Sequence, residues 1–461
     1  MISKLLKFCR QLVNGEKSSS DLVTCTDPQV VPRSEHSISR KQFSPNAIKV
    51  LYRLKDGGYD AYLVGGCIRD ILLGVEPKDF DVVTNATPEQ IKKLFRNCRL
   101  IGRRFRLAHI VFGREIIEVA TMRGHHEASA SKNQTSQSSE HGQLLRDNVY
   151  GTIEEDAERR DFSINALYYS IKDFTIHDFA NGMNAIANRK IELIGDPETR
   201  YREDPVRMLR AVRFATKLDM EIAQPTKAPI SELADLLSHI PAARLFEETL
   251  KLFLNGKAEA NYHMLREFGL FKQLFPALDD IIENSETGFE TRFIAQMFAN
   301  TDKRINAEKK VTPAFVYAAL LWFPLLKRSE QLQQENMPIF DAYAQAMNHV
   351  LSENAQSVAV PKRFTLGARD IWHIQLRLDK RGGQRAYRIS QQPRFKAAYD
   401  FLLLRVESGE QEQAELAEWW TNYLQQDING QKEMVRSLGP SESNKPRRRF
   451  RRKPKKKPSE S

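Results

Sequence analysis

The stretch Ala61–Thr84, AYLVGGCIRDILLGVEPKDFDVVT, decides the fold. It opens with a short apolar strand, turns at Gly65-Gly66, runs into a helix, and returns as a second strand headed by two carboxylates one residue apart. Side chains alternate along a strand, so Asp79 and Asp81 are expected on one face, with Phe80 and Val82 on the other. Two like charges this close repel, and the cost calls for a cation or a solvent-exposed edge. A paired carboxylate suits Mg²⁺, which takes oxygen ligands and keeps waters. Two such ions activate an attacking hydroxyl and stabilise a leaving pyrophosphate. A solvated edge strand explains an isolated D-x-D about as well, so the surrounding residues carry the decision.

Immediately upstream, Gly65 and Gly66 allow a tight turn that brings backbone amides close to an anion, and Arg69 is expected in the first turn of the helix, poised for a phosphate. Glu118, in the apolar run EIIEVAT, is a third carboxylate able to face the pair, or a charge on an edge strand. In RRDFSINAL, Arg159, Arg160, Asp161 and Asn165 are read on one helix, with Asp161 and Asn165 a turn apart. They suit triphosphate, sugar or metal contacts, or a surface ion pair of little weight.

Working outward, Ser44 to Asp56 reads as a helix with Pro45 in its first turn and a Gly57-Gly58 stop. Thr87 with Gln90, and Thr152 with Glu155, are capping boxes at the starts of two more helices. Strand-like runs at RLIG, AHIVFG and EIIEVAT complete a small mixed unit, while the serine-rich HHEASASKNQTSQSSEHGQ reads as a mobile loop. From about Asp204 the apolar spacing is mainly helical. The expected fold class is α+β: a small mixed-sheet head over residues 44–177, with a mobile loop at about 125–146, followed by a helical neck (178–255) and a helical body (256–440). A flexible arm (1–43) and a disordered basic tail (441–461) flank them.

The chain has 461 residues and a net charge of +11, and the last 21 residues hold ten Lys or Arg against two Glu, so that +8 of the total sits there. Such a block cannot pack and is suited to salt-sensitive, sequence-blind affinity for a polyanion; Arg447, Arg448 and Arg449 are its densest run. A second basic stretch holds seven Lys or Arg between Arg377 and Lys396, among them Arg381, Arg385 and Arg388, interleaved with Tyr387 and Phe395. It fits phosphate contacts with base stacking, or a solvated helical face. No apolar run reaches the roughly 18 residues of a membrane span. Cys9, Cys25, Cys67 and Cys98 show no CxxC spacing, which argues against a zinc site or a disulfide framework and fits a cytoplasmic protein.

In this order, the Gly-Gly turn, the D-x-D, the RRDF segment and REDPVRMLRAVRF resemble the nucleotidyltransferase superfamily of template-independent polymerases, the class that contains bacterial poly(A) polymerases and tRNA CCA-adding enzymes. The resemblance is dense from Ser44 to Leu218. It implies a head with Asp79 and Asp81 as Mg²⁺ ligands at a two-ion site and a further catalytic carboxylate from Asp161, with Glu118 competing or additional. It also implies ATP as substrate, held by Gly65, Gly66, Arg69, Arg160 and Asn165, and a nucleobase read by Asp204 and Arg207. An Asp with an Arg three positions on offers the acceptor and donor that adenine's edge requires; a plain helix cap at Asp204-Pro205 is also compatible. The run LIGRRFRLAHIVF resembles the signature of the poly(A) polymerases, and places Arg103, Arg104 and Arg106 beside the metal site as contacts for primer or triphosphate. The expected activity is transfer of AMP from ATP to RNA 3′ ends, with CCA addition to tRNA, or RNA binding without catalysis, as the rivals. Protein partners such as RNA-decay or RNA-chaperone factors are not readable from these residues. The segment joining head to neck departs from the family pattern at Asn181-Gly182 and Ala185-Ile186.

Overall fold

The computed structural model describes residues 22–25, 28–102, 106–124 and 149–438. These divide into two compact units, one comprising the described residues up to Asp279 with Ala355–Ala359, the other Asp280–Asn354 with the described residues from Val360. The division falls within the segment expected as one helical body from 256.

The first unit is built on an eight-stranded sheet in the order β1-β8-β7-β2-β3-β6-β5-β4. Its strands are β1 (Gln29–Val31), β2 (Ala61–Val64), β3 (Asp81–Thr84), β4 (Cys98–Ile101), β5 (Leu107–Phe112), β6 (Glu115–Thr121), β7 (Leu167–Ser170) and β8 (Ile176–Asp178). All neighbours are antiparallel except β3 and β6, which run parallel. A parallel pair needs a long crossover, and helix α3 (Pro88–Leu94) with β4 and β5 supplies it. Val82 and Val83 are both buried, in two separate core clusters, so the centre of the sheet is covered on both faces.

Helix α1 (Pro45–Asp56) starts where Ser44 accepts hydrogen bonds from the Asn46 and Ala47 amides, with Pro45 at the first position. It buries Ala47, Val50, Leu51 and Leu54, spacings of three and four that make one stripe against the sheet. Both expected capping boxes are present, Thr87 with Gln90 on α3 and Thr152 with Glu155 on α4 (Ile153–Glu158). The arm expected to be flexible through residue 43 is instead packed from residue 28 onward. Its β1 pairs with β8, Ser39 and Gln42 form a capping box, and Val31, Ile38 and Phe43 are buried. Those apolar residues are spaced too irregularly to show a helical or strand period.

The departure at Asn181-Gly182 keeps its turn. Asn181 adopts a left-handed conformation (φ 57°), which Asn tolerates better than most residues. Asp178 caps the following helix by accepting from the amides of Gly182 and Met183, both at 2.8 Å. A Cβ at Gly182 would lie 2.4 Å from the Ser163 carbonyl, so that glycine is required by close approach.

Helices α5 (Pro197–Glu203), α6 (Val206–Leu218) and α7 (Ala242–Phe253) follow in the first unit. The second unit is helical, with α8 (Phe289–Asn306), α9 (Pro313–Leu320), α10 (Lys362–Gln375), α11 (Arg385–Ser390), α12 (Phe395–Glu407) and α13 (Ala414–Gln425) among its elements. Gly367 on α10 lets α9 come close: a Cβ there would meet that of Ala314 at 2.9 Å. Buried Trp372 donates to the Ala318 carbonyl at 2.9 Å, tying the same two helices. No helix among the described residues is long and apolar enough to cross a membrane.

Candidate active site

The strand predicted through Asp79-Phe80-Asp81 begins at Asp81, and Asp79 lies two residues before it. The alternation nevertheless holds. Phe80 packs inward, its ring edge-on to Phe43 at 6.3 Å, while Asp79 and Asp81 are both exposed. Sheet register then assembles the site around Asp81. On one side its partner is Val64, so the Gly65-Gly66 turn starts beside it; on the other its partner is Glu118. Glu118 in turn faces His109 on β5, with 3.3 Å between imidazole and carboxylate.

Asp81 is open to solvent at the strand end, yet its carboxyl is crowded by protein on the inner side. That desolvation, then the charge of Glu118 and that of Asp79, push its pKa up to about 6, against an opposing pull from Arg160. The Cys67 thiol beneath is pushed up to about 12 by burial and then by the charge of Asp81.

The turn itself requires glycine. Gly65 has φ 75° and ψ −129°, a region closed to other residues without strain. Gly66 opens helix α2 (Gly66–Leu72), and Arg69 within it is buried. Arg69, expected to reach for a phosphate, has partners within the protein. Its guanidinium bonds the Asp70 carboxylate at 2.8 and 2.6 Å and the Asn165 side chain at 2.6 Å, and lies 5.2 Å from the Phe214 ring centroid. Arg160 is likewise committed. It bonds Asp156 at 3.0 Å and the Tyr168 hydroxyl at 2.7 Å, lies 3.3 Å from the Asn165 carbonyl, and borders Gly65. Burial works against its charge, but Tyr168 and Asp156 more than offset this and its pKa is raised.

Asp161 and Asn165 were expected on one helix. In the structure α4 ends at Glu158, Phe162 is extended (φ −122°, ψ 145°), and Ser163–Asn165 form a separate 3-10 turn. The two side chains still meet, at 3.2 Å. Asp161 also accepts from the Phe162 amide at 2.9 Å and forms an ion pair with Arg210 on α6. Burial alone would push its carboxyl up; Arg210, Asn165 and the Phe162 amide hold it down at about 2. Asp161, expected to join the metal set, is thus engaged by Arg210, Asn165 and a backbone amide, while the sheet register puts Glu118 beside Asp81.

Asp204 closes α5, accepting from the Val206 amide at 3.3 Å and from Arg244 at 2.7 Å. Arg207 bonds Glu203 at 2.9 Å and the Arg200 carbonyl at 2.7 Å. Each is held by a third residue rather than by the other's side chain. Arg106 forms an ion pair with Glu89 on α3. The ladder places it past Leu107, which pairs with Ala120, and so roughly 10 Å along the strands from Asp81 at about 3.3 Å per residue. It does not stand beside the carboxylates as expected. Arg103, Arg104, Arg447, Arg448 and Arg449 lie outside the described residues. In the second unit, Arg381 stacks over Trp419 at 5.2 Å, Arg385, Tyr387 and Arg388 are exposed on α11, and Phe395 is buried, leaving Tyr387 as the exposed ring of that stretch.

Sequence reasoning missed His109, Asp156, Tyr168 and Arg244. Arg244 reaches Asp204 across 40 residues, His109 meets Glu118 across the β5–β6 pair, and Tyr168 reaches Asp156 and Arg160 from β7; only the spacing of Asp156 and Arg160, four residues apart, carries a local signal. Among the described residues no three His, Cys, Asp or Glu side chains gather as a metal cluster. Asp79 and Asp81 are hard oxygen donors, both exposed, and such a pair fits Mg²⁺, which binds through one or two carboxylates with substrate oxygens completing the shell.

Three family models match the chain: "Poly A polymerase head domain" over residues 61–192, "Probable RNA and SrmB- binding site of polymerase A" over 219–282, and "Polymerase A arginine-rich C-terminus" over 335–455. Over 453 residues, 97% of either chain, it is 52% identical to poly(A) polymerase I of Salmonella typhimurium. The chain belongs to the bacterial poly(A) polymerase I family. As a poly(A) polymerase it is a polynucleotide adenylyltransferase. The CCA-adding enzyme of Lactobacillus helveticus is a more distant relative of this polymerase, 36% identical over 45% of this chain and 49% of its own. The polymerase shares its fold with the CCA-adding enzyme of Bacillus stearothermophilus at a TM-score of 0.52 and 24% identity, covering 82% of this chain and 81% of that one.

Proposed function

We propose that the head transfers AMP from ATP to the 3′-hydroxyl of an RNA and releases pyrophosphate, with Asp79 and Asp81 holding Mg²⁺ and Glu118 adding negative charge beside them. The observation that carries this reading is the register Val64–Asp81–Glu118 on central strands of the sheet, which brings the Gly65-Gly66 turn beside two carboxylates, with Asp79 two residues before Asp81. Bound Mg²⁺ supplies activation of the hydroxyl and neutralisation of the triphosphate. The residues do the rest. Gly65 and Gly66 bring backbone amides close to the phosphates, and Arg69 and Arg160 hold that turn in place through Asn165, Asp156 and Tyr168. Asp204 and Arg207 present an acceptor and a donor to the adenine edge, with Arg244 and Glu203 fixing their positions. Arg381, Arg385 and Arg388 in the second unit, and the basic tail, contact the RNA. Cys25, Cys67 and Cys98 stand as free thiols, which supports a cytoplasmic setting.

Extension of a labelled RNA with each nucleoside triphosphate supplied singly tests the reading. Long adenosine tails are expected. Efficient cytidine addition to tRNA ends would favour the CCA-adding rival, and no Mg²⁺-dependent transfer of any nucleotide would favour a binding role alone.

A further inference from the structure

A cavity of about 450 Å³ opens in the second unit between α8, the start of α9 and α12. That volume suits one small ligand. Its rim carries Lys303, Lys310, Arg394 and Lys396, none of which forms an ion pair among the described residues; the fifth cation, Arg304, is 4.0 Å from Asp400. Arg394 is braced over Gly367, whose missing side chain leaves room for the guanidinium 3.6 Å from where a Cβ would stand. Phe315, Leu403 and Leu404 add an apolar wall to the lining. Two acceptors border it: Glu407, fixed by the Asn300 amide at 2.9 Å, and Asp400, whose pKa is raised by burial.

An inorganic anion would leave the apolar wall facing water, and an apolar ligand would leave four cations unpaired. A nucleotide satisfies both, with a flat base on the wall and phosphates at the rim. The carboxylates add a preference, because they accept from an exocyclic amine, which adenine has and uracil lacks. We propose that this cavity takes one nucleotide of the RNA strand, with its base against Phe315 and Leu403, its phosphates at Arg394, Lys396, Lys303 and Lys310, and adenine favoured over uracil. The proposal rests on the adenylyl-transfer reading only for the presence of an adenosine-rich strand.

The test is fluorescence anisotropy of labelled oligo(A) and oligo(U) with the full chain, without ATP. The paired substitution Arg394→Ala with Lys396→Ala is expected to weaken oligo(A) binding about 10-fold at low salt. The exposed pair Lys303→Ala with Lys310→Ala gives the same direction without touching the core. Glu407→Ala is expected to narrow the oligo(A) over oligo(U) preference about 5-fold, as for one lost hydrogen bond. Lys362→Ala with Arg363→Ala, on the same unit but outside the cavity, serves as the control for bulk charge. Unchanged affinity in both cavity pairs overturns the proposal, and so does an equal loss in the control. Free AMP bound with the same sensitivity to these substitutions, while oligo(A) is insensitive, would replace the strand with a mononucleotide. Asp81→Ala separates the two readings: it tests incorporation, and its failure leaves the anisotropy comparison standing.

Discussion

Two carboxylates of the head live in opposite settings. Asp81, at the start of β3, has carboxylates on either side, and its proton affinity is pushed up to about 6. Asp161, under α6, is clasped by Arg210, Asn165 and a backbone amide, and is held at about 2. The first group has no ion pair among the described residues. The second belongs to a closed chain, Arg69–Asn165–Asp161–Arg210, that joins the helix after the Gly-Gly turn to α6. Unrelieved charge at an open edge marks a place for a ligand, whereas satisfied charge in the interior marks scaffold. In sequence the two look alike, since both are aspartates in family motifs.

Substitution sharpens that contrast most at the open edge. Asp81→Ala is expected to lower AMP incorporation on the order of 1,000-fold or more, while RNA binding persists and thermal stability is unchanged or higher, because a repulsive charge has gone. Primer extension and a melting curve on one preparation check it. Intact incorporation with a lowered melting temperature would reverse the roles of the two carboxylates.

The closed network should respond the other way. Asp161→Ala leaves the half-buried Arg210 without its partner and is expected to destabilise the first unit by about 2 kcal/mol. Asp161→Asn, which keeps the bond geometry, should cost less. Denaturant unfolding measures both. If Asp161→Ala instead abolished incorporation at full stability, Asp161 would be a ligand of the reaction after all.

What was legible in the sequence follows from how far each signal reaches. Thr87 with Gln90, Thr152 with Glu155, Pro45 after Ser44, and Gly65 act within four residues, and each does locally what its residue type dictates. The D-x-D was legible because alternation is local, although the strand starts two residues later than read. The partners of the other site residues were not. Asn165 meets Arg69 across 96 residues, and Asp161 meets Arg210 across 49, distances over which periodicity is blind. Arg69 is thus bound by Asn165 in a way its own neighbourhood does not announce, whereas Arg160 finds Asp156 and Tyr168 only four and eight residues away. The helix assumed through Asp161 failed for a related reason: Phe162 leaves it to pair with Leu193.

The smallest expected effect lies in how stability depends on pH, where the two aspartates should give opposite slopes. A carboxyl held at about 2 in the folded chain, against about 4 when unfolded, contributes stability that is complete above about 4 and lost as pH falls toward about 2. Asp161→Asn should remove that acid limb. A carboxyl raised to about 6 binds its proton more tightly when folded, so stability is greatest below about 4 and declines as pH rises to about 6. Asp81→Asn should abolish that decline. Mg²⁺ should also abolish it in the parent chain, because a cation at the edge compensates the charge, and chelation should restore it. Melting curves across pH 2 to 7, with Mg²⁺ or with chelator over the upper part of that range, read all of these. A decline that persisted unchanged in Asp81→Asn would place the unrelieved charge elsewhere on the sheet, and the contrast between the two carboxylates would have to be drawn from other residues.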